Sequence, residues 1–160
     1  MQIPPRFKNQ DESITFFQEI HRGLDYSDPG TGKSRVQIDL FTQRWREGAM
    51  LVIAPKSILD LAWAADVRKF APNFRTSIAW ARNRAKAFQI DADIFITNTD
   101  AAVWLAKQPT AFFERFSTLV IDEISMFKNP QSQRSKAAAK IAKHFKYFYG
   151  LSGTPDANHI

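Results

Sequence analysis

At 160 residues and 44% hydrophobic content, the chain can fill one sizeable core and is too short for two full domains. No apolar run approaches the roughly 20 residues a membrane span needs, and residues 1–9 hold no apolar stretch of the signal-peptide kind, so the expectation is a soluble, cytoplasmic or nucleoid-associated protein with no membrane partner. Zero cysteines exclude a disulfide framework, three scattered histidines (His21, His144, His159) argue against a zinc site, and a net charge of +6 favours polyanionic partners such as nucleic acid.

In chain order, a short strand at residues 24–26 leads into the turn Ser27-Asp28-Pro29-Gly30-Thr31-Gly32-Lys33-Ser34, and a helical pattern continues over residues 35–47. Short apolar runs at residues 51–54, 94–97, 119–122 and 147–151 read as buried strands. Between them, Ile58, Leu61, Ala62 and Ala65 share one helical face, as do Ala137, Ile141 and Phe145. Phe16, Phe17, Phe112, Phe113 and Phe116 fall in apolar patterns that read as core rather than as base-stacking platforms. Strands alternating with helices predict an α/β fold, a mainly parallel sheet with helices on both faces, whose ligands sit at the carboxyl ends of the strands. Loops fall at Pro4-Pro5, Pro72-Asn73, Gln108-Pro109 and Asn129-Pro130, and neither a repeat nor an interdomain linker is visible, so residues 1–160 read as one domain.

The turn at residues 27–34 has the spacing of a phosphate loop. Gly30, Thr31 and Gly32 allow backbone amides to approach phosphate oxygens, the helix N-terminus adds partial positive charge, Lys33 reaches the terminal phosphates, and Ser34 can ligate Mg²⁺. The strict pattern has glycine where this chain has Ser27, and on its own the turn fits a phosphate loop and an ordinary loop equally. Asp122 and Glu123 end an apolar strand, where uncompensated charge is costly. A solvated acidic turn is the commoner explanation of such a pair. With a phosphate loop upstream, Asp122 is instead expected to hold Mg²⁺ and Glu123 to orient and deprotonate the attacking water.

Taken together, these segments resemble superfamily 2 helicases of the Swi/Snf type, DNA-dependent ATPases, over residues 7–155. The stretch from Asp122 through Lys128, Asn129 and Pro130, with Ser132, Arg134, Ser135 and Lys136 after it, is similar to motif II and its Lys-Asn extension. Ser152-Gly153-Thr154-Pro155 resembles motif III, which implies that Ser152 and Thr154 couple the ATP site to nucleic acid. Gln10 resembles the adenine-reading glutamine, because an amide can donate and accept together; a surface glutamine is the equal alternative. Pro55, Lys56 and Ser57, with Trp63 in the helix after them, resemble motif Ia. Thr97, Asn98 and Thr99 resemble motif Ib; both motifs face the nucleic-acid backbone in the family. The sequence departs from the family pattern at Ser27 and at Ile124-Ser125.

The resemblance implies the N-terminal, RecA-like ATP-binding lobe of a motor, with ATP and Mg²⁺ as cofactors, double-stranded DNA as nucleic-acid partner, and a second RecA-like lobe, in the same or another chain, that supplies an arginine finger. The basic stretches of residues 68–86 and 128–146 could both track phosphates, but Lys136, Lys140 and Lys143 also fit a solvated helix face, and only Lys128 is assigned to contact. Two other readings compete with the motor: a stand-alone nucleic-acid- or partner-binding module without productive turnover, and a P-loop kinase, which leaves the Lys-Asn-Pro and Ser-Gly-Thr-Pro segments unexplained.

Overall fold

The structure, a computed structural model, describes residues 2–26, 32–56 and 62–152. Gly30, Thr31, Ser57 and Thr154, together with Ile58 and Leu61, lie outside the described residues.

Six strands, β1 (Arg22–Asp25), β2 (Ala49–Ala54), β3 (Thr76–Ala79), β4 (Ile94–Asn98), β5 (Phe116–Asp122) and β6 (Tyr147–Leu151), form one sheet in the order β1-β6-β5-β2-β4-β3. Every pairing is parallel. The helices are α1 (Lys8–Glu19), α2 (Lys33–Arg44), α3 (Ala64–Phe70), α4 (Arg84–Ala87), α5 (Ala101–Ala106) and α6 (Gln133–Ala142).

The apolar runs become the inner strands because a parallel sheet covered on both faces buries both sets of alternating side chains. Met50, Val52, Ala54, Ile94, Ile96 and Val120 pack on one face against Ile38 and Phe41 of α2 and Ala64 and Val67 of α3. Leu51, Ile53, Phe95, Leu119 and Ile121 pack on the other against Ala87, Ala101, Leu105, Ala138 and Ile141 of α4, α5 and α6. A smaller cluster joins Ile14 and Phe17 of α1 to Val36 and Leu40 of α2 and to Tyr147 and Tyr149 of β6.

Three local expectations are corrected. The buried face of α3 is Trp63, Ala64 and Val67, whereas Ala62 is exposed and Ala65 only partly buried, because the large indole rather than small alanines sets the face. Phe16 is 57% exposed, since Gln10, Ile14 and Phe17 carry the inward face of α1. The edge strand β3 has no counterpart among the apolar runs.

Gly48 permits the close start of the β2–β5 pair. It sits at φ +146°, and a Cβ there would lie 2.9 Å from the Arg115 carbonyl oxygen and 2.9 Å from the Ser117 amide nitrogen. Both neighbours are backbone and cannot swing aside. Gly48→Ala is therefore expected to destabilise the fold by about 2 kcal/mol, seen as a fall in Tm of roughly 4–8 °C; an unchanged Tm would mean that the strands can separate at this end without cost.

Candidate functional site

Strand register sets the site. Asp25 pairs with Leu151, and Leu151 with Asp122; Ile53 pairs with Ile121, Ala54 with Asn98 and Ala79 with Thr97. The strands thus end together, and residues 26, 55, 80, 99, 123 and 152 leave the sheet at one edge. Of the residues singled out in the sequence, Pro55, Asn98, Asp122, Glu123 and Ser152 fall at this edge.

α2 starts at its β1 side. Gly32 is the N-cap in left-handed conformation, φ +75°, and Lys33 and Ser34 open the helix. The backbone angle favours glycine, and a Cβ on Gly32, 2.0 Å from Gln10 Nε2, would push the end of the Gln10 side chain out of its place. Gln10 itself is only 4% exposed, which answers the surface-glutamine alternative. Its Nε2 donates to the Gly32 carbonyl at 3.3 Å, and its Oε1 accepts from the Phe7 amide at 2.8 Å. Arg6 fastens this N-terminal segment to α2 through Asp39 at 3.2 Å, and Asp39 also holds Arg35 at 2.7 Å.

Asp122 ends β5, between β6 and β2. Burial pushes its carboxyl up from the ordinary aspartate value; the Trp63 N–H, at 2.7 Å from Oδ2, pulls the other way, the charge of the adjacent Glu123 adds to the rise, and the Glu123 backbone N–H and the charge of Lys33 offset part of it. The charge of Lys33 thus reaches Asp122, 89 positions away in the chain. Glu123 is the one non-glycine residue with positive φ among the described residues, at φ 60° and ψ 59°. Such a conformation costs on the order of 1–3 kcal/mol and persists where the surroundings impose it, often at functional sites. The chain turns there into a short 3-10 segment, Ile124–Phe127. Ile124, where the sequence departs from the family pattern, packs over Gly150 of β6, whose hypothetical Cβ would meet Ile124 Cγ1 at 3.0 Å.

The Lys-Asn-Pro extension is locally ordered. Asn129 Oδ1 accepts from the Gln131 amide at 3.1 Å, Ser132 caps α6 by accepting from the Ser135 amide at 3.1 Å, and the Ser135 hydroxyl donates to the Phe127 carbonyl at 2.7 Å. Lys128 is exposed at the head of this loop. Ser152 is buried, and its amide donates to the Asp25 carbonyl at 3.0 Å, tying the end of β6 to the strand that precedes the phosphate loop.

Two side chains absent from the sequence-based site contact its residues from behind. Trp63, named there only as a neighbour of motif Ia, reaches Asp122. Asp66 of α3 accepts the Ser34 hydroxyl at 2.5 Å. Neither contact has a signal in the sequence, because each depends on how α3 packs over α2 and β5. The donor set fits a hard divalent cation: the Ser34 hydroxyl and the Asp122 carboxylate offer oxygen only, and a carboxylate that burial makes costly to ionise gains from a cation beside it.

On the other half of the edge, a cleft of about 430 Å³ is lined by Lys56, Trp80, Ala81, Arg82 and Asn98, at the carboxyl ends of β2, β3 and β4. Pro55 is partly buried beside it in the chain. Trp80 has no signal in the sequence because it follows the unrecognised β3, whereas Arg82 lies in the basic stretch of residues 68–86. Thr97 requires correction: it is fully buried and its hydroxyl donates to the Ala79 carbonyl at 3.0 Å, so strand pairing consumes the group expected to meet a phosphate backbone. No helix among the described residues is long and apolar enough to cross a membrane.

The sheet and this edge have counterparts in known proteins. The Sulfolobus solfataricus SWI2/SNF2 ATPase core in complex with dsDNA superposes with a TM-score of 0.75 over 97% of this chain and 35% of its own, at 26% identity. The SWI/SNF-related matrix-associated actin-dependent regulator of chromatin subfamily A-like protein 1 of Xenopus tropicalis is 30% identical over 128 residues, 80% of this chain and 13% of its own length. A protein of African swine fever virus whose name proposes an ATP-dependent RNA helicase is 25% identical over 163 residues, 94% of this chain and 29% of its own length. The chain thus spans about a third or less of each of these relatives. The SNF2-related domain family matches residues 10–160, a span that takes in Gln10, the phosphate loop, the acidic pair and the Lys-Asn-Pro extension together. By that match, which spans the six-stranded parallel sheet, the chain belongs to the SNF2-related domain family.

Proposed function

We propose that this chain, over residues 1–160, is the RecA-like ATP-binding lobe of a helicase-type DNA-dependent ATPase, hydrolysing Mg-ATP and, joined to a second such lobe, coupling hydrolysis to movement along duplex DNA. The observation that carries the reading is the convergence of Gln10, Lys33 and Asp122 on one sheet edge: Gln10 against Gly32, and the charge of Lys33 acting on Asp122.

Lys33 and the amides at the start of α2 attract the phosphates, with Gly30 and Thr31 completing the loop. Gln10, held at one end of this site, has an amide suited to an adenine edge. Glu123 accepts a proton from water as the water oxygen bonds to the terminal phosphorus and the bond to the ADP oxygen breaks. Bound Mg²⁺ neutralises charge on the phosphate oxygens, and Ser34 and Asp122 are the residues to hold it. Ser152, which follows β6, connects this site to the rest of the edge, with Thr154 two positions on in the sequence as its companion. Pro55, Lys56, Ser57, Asn98 and Lys128, joined by Trp80 and Arg82, supply cationic, amide and aromatic groups suited to a nucleic-acid backbone and its bases. The complex of the Sulfolobus relative favours duplex DNA over RNA as the partner. Without an arginine from a second lobe, turnover is expected about 10³–10⁵-fold below that of a complete motor.

Equilibrium binding tests this reading. Mg-ATP is expected to bind, and the affinity for a short DNA duplex is expected to differ with and without it, and to exceed that for an RNA duplex of the same sequence. Absence of Mg-ATP binding would refute the ATP site. Equal DNA affinity in both conditions would leave a nucleic-acid-binding module without productive turnover.

A further inference from the structure

We propose that Trp63 and Asp66 are positioning residues for the metal-directed groups of the ATP site, each holding one of the two groups from behind. The inference rests on the Mg-ATP reading above and adds two residues to it.

Trp63 Nε1 donates to Asp122 Oδ2 at 2.7 Å, and Asp66 Oδ2 accepts the Ser34 hydroxyl at 2.5 Å. The two are three residues apart, so they lie on neighbouring positions of one helical face. That face is fixed. Trp63 is 1% exposed and packs with Ala64 and Val67 against Ile38 and Phe41 of α2, while the Arg35 guanidinium lies 4.2 Å over the Phe70 ring.

The chemistry of each bond leaves the right atom open. An indole N–H only donates, so Trp63 engages Oδ2 of an Asp122 carboxylate that also accepts the Glu123 backbone N–H, and the remaining oxygen lone pairs can take a cation or its water. Ser34 gives its proton to Asp66, so its oxygen lone pairs are available for a cation. A hydroxyl or carboxylate without such a partner can rotate away from the cation. Partners of this kind typically contribute 10- to 100-fold in metal affinity. Helix α3 therefore aligns both oxygens together, and a shift of this one helix would misalign both.

The test is titration of Mg²⁺ into the chain with a fluorescent N-methylanthraniloyl-ATP, and of the same nucleotide alone in EDTA. Trp63→Phe keeps a buried ring without the N–H, and Asp66→Ala removes the acceptor. Both are expected to raise the Mg²⁺ concentration for half-maximal binding about tenfold and to leave metal-free binding unchanged. Asp66→Asn, whose amide oxygen still accepts a hydroxyl proton, is expected to keep most of the parent affinity. An Mg²⁺ requirement equal to the parent's in both Trp63→Phe and Asp66→Ala overturns the inference while leaving the ATP site standing. Equal losses in Asp66→Asn and Asp66→Ala overturn it for Asp66, since charge rather than hydrogen bonding would then be at work. Failure of the parent chain to bind nucleotide in either condition overturns the ATP site itself, and this inference with it. Should Trp63→Phe not fold, the pair of Asp66 variants decides alone, because Asp66 is only partly buried.

Discussion

Glu123→Gln is expected to lower ATP turnover by about 10²–10⁴-fold while leaving Mg-ATP affinity essentially unchanged. Glutamine has the shape of glutamate and can still hydrogen-bond a water, but its amide cannot accept the proton that the water must lose. The backbone makes the comparison clean. Glu123 sits in a left-handed conformation at the turn from β5 into the 3-10 segment, so a residue of equal size and branching preserves the local fold, whereas a β-branched one would not. The measurement is phosphate release by parent and variant prepared identically, with and without duplex DNA. Equal rates would show either that another group takes the proton or that the activity belongs to a contaminant, and single-turnover kinetics with excess protein would separate these.

That Glu123 could be singled out at all follows from the kind of information each part of the molecule leaves in its sequence. Strands β2, β4, β5 and β6 are legible because both faces of the sheet are covered, so nearly every residue in them is apolar. β3 is not legible for the opposite reason: it lies at the sheet edge, its burial alternates, and Ser77 enters the interior by donating its hydroxyl to the Ala87 carbonyl at 2.8 Å. Short helices hide in the same way. α5 has six residues, fewer than two turns, over which a helical period barely repeats. The proposed phosphate loop and acidic pair stand out in the sequence because such chemistry imposes residue types at fixed local spacing. Trp63 and Asp66 act across the fold, on partners 59 and 32 positions away, and no local pattern encodes such a contact. Thr97 illustrates the converse. Its type suits a phosphate contact, but its hydroxyl is taken by a neighbouring strand that the sequence does not reveal.

Asp122→Asn is expected to stabilise the nucleotide-free fold at neutral pH while reducing Mg²⁺-supported turnover at least about 100-fold. In the folded chain, burial first and the Glu123 charge second raise the Asp122 carboxyl above its ordinary value, and the Trp63 N–H and Lys33 offset only part of this. Ionising the group in the folded state therefore costs more than in the unfolded chain. Below the ordinary aspartate range the carboxyl is protonated in both states and the cost is absent. As pH rises from that range through the raised folded value, the folded state holds the proton longer than the unfolded state, so stability falls, and above it the full cost applies. Asparagine carries no charge, and its amide oxygen can still accept from Trp63. The variant should thus melt above the parent at neutral pH, and its advantage should shrink to nothing at about pH 4 or below. Its activity should move in the other direction, because a neutral amide holds Mg²⁺ poorly and each 1.36 kcal/mol lost from the transition state is a factor of about ten in rate. Thermal melts at the two pH values and phosphate release at saturating Mg²⁺ measure both. A variant less stable than the parent at neutral pH would show that Trp63 and Lys33 outweigh burial, making Asp122 a structural ion pair rather than a carboxylate kept at a cost for what it binds.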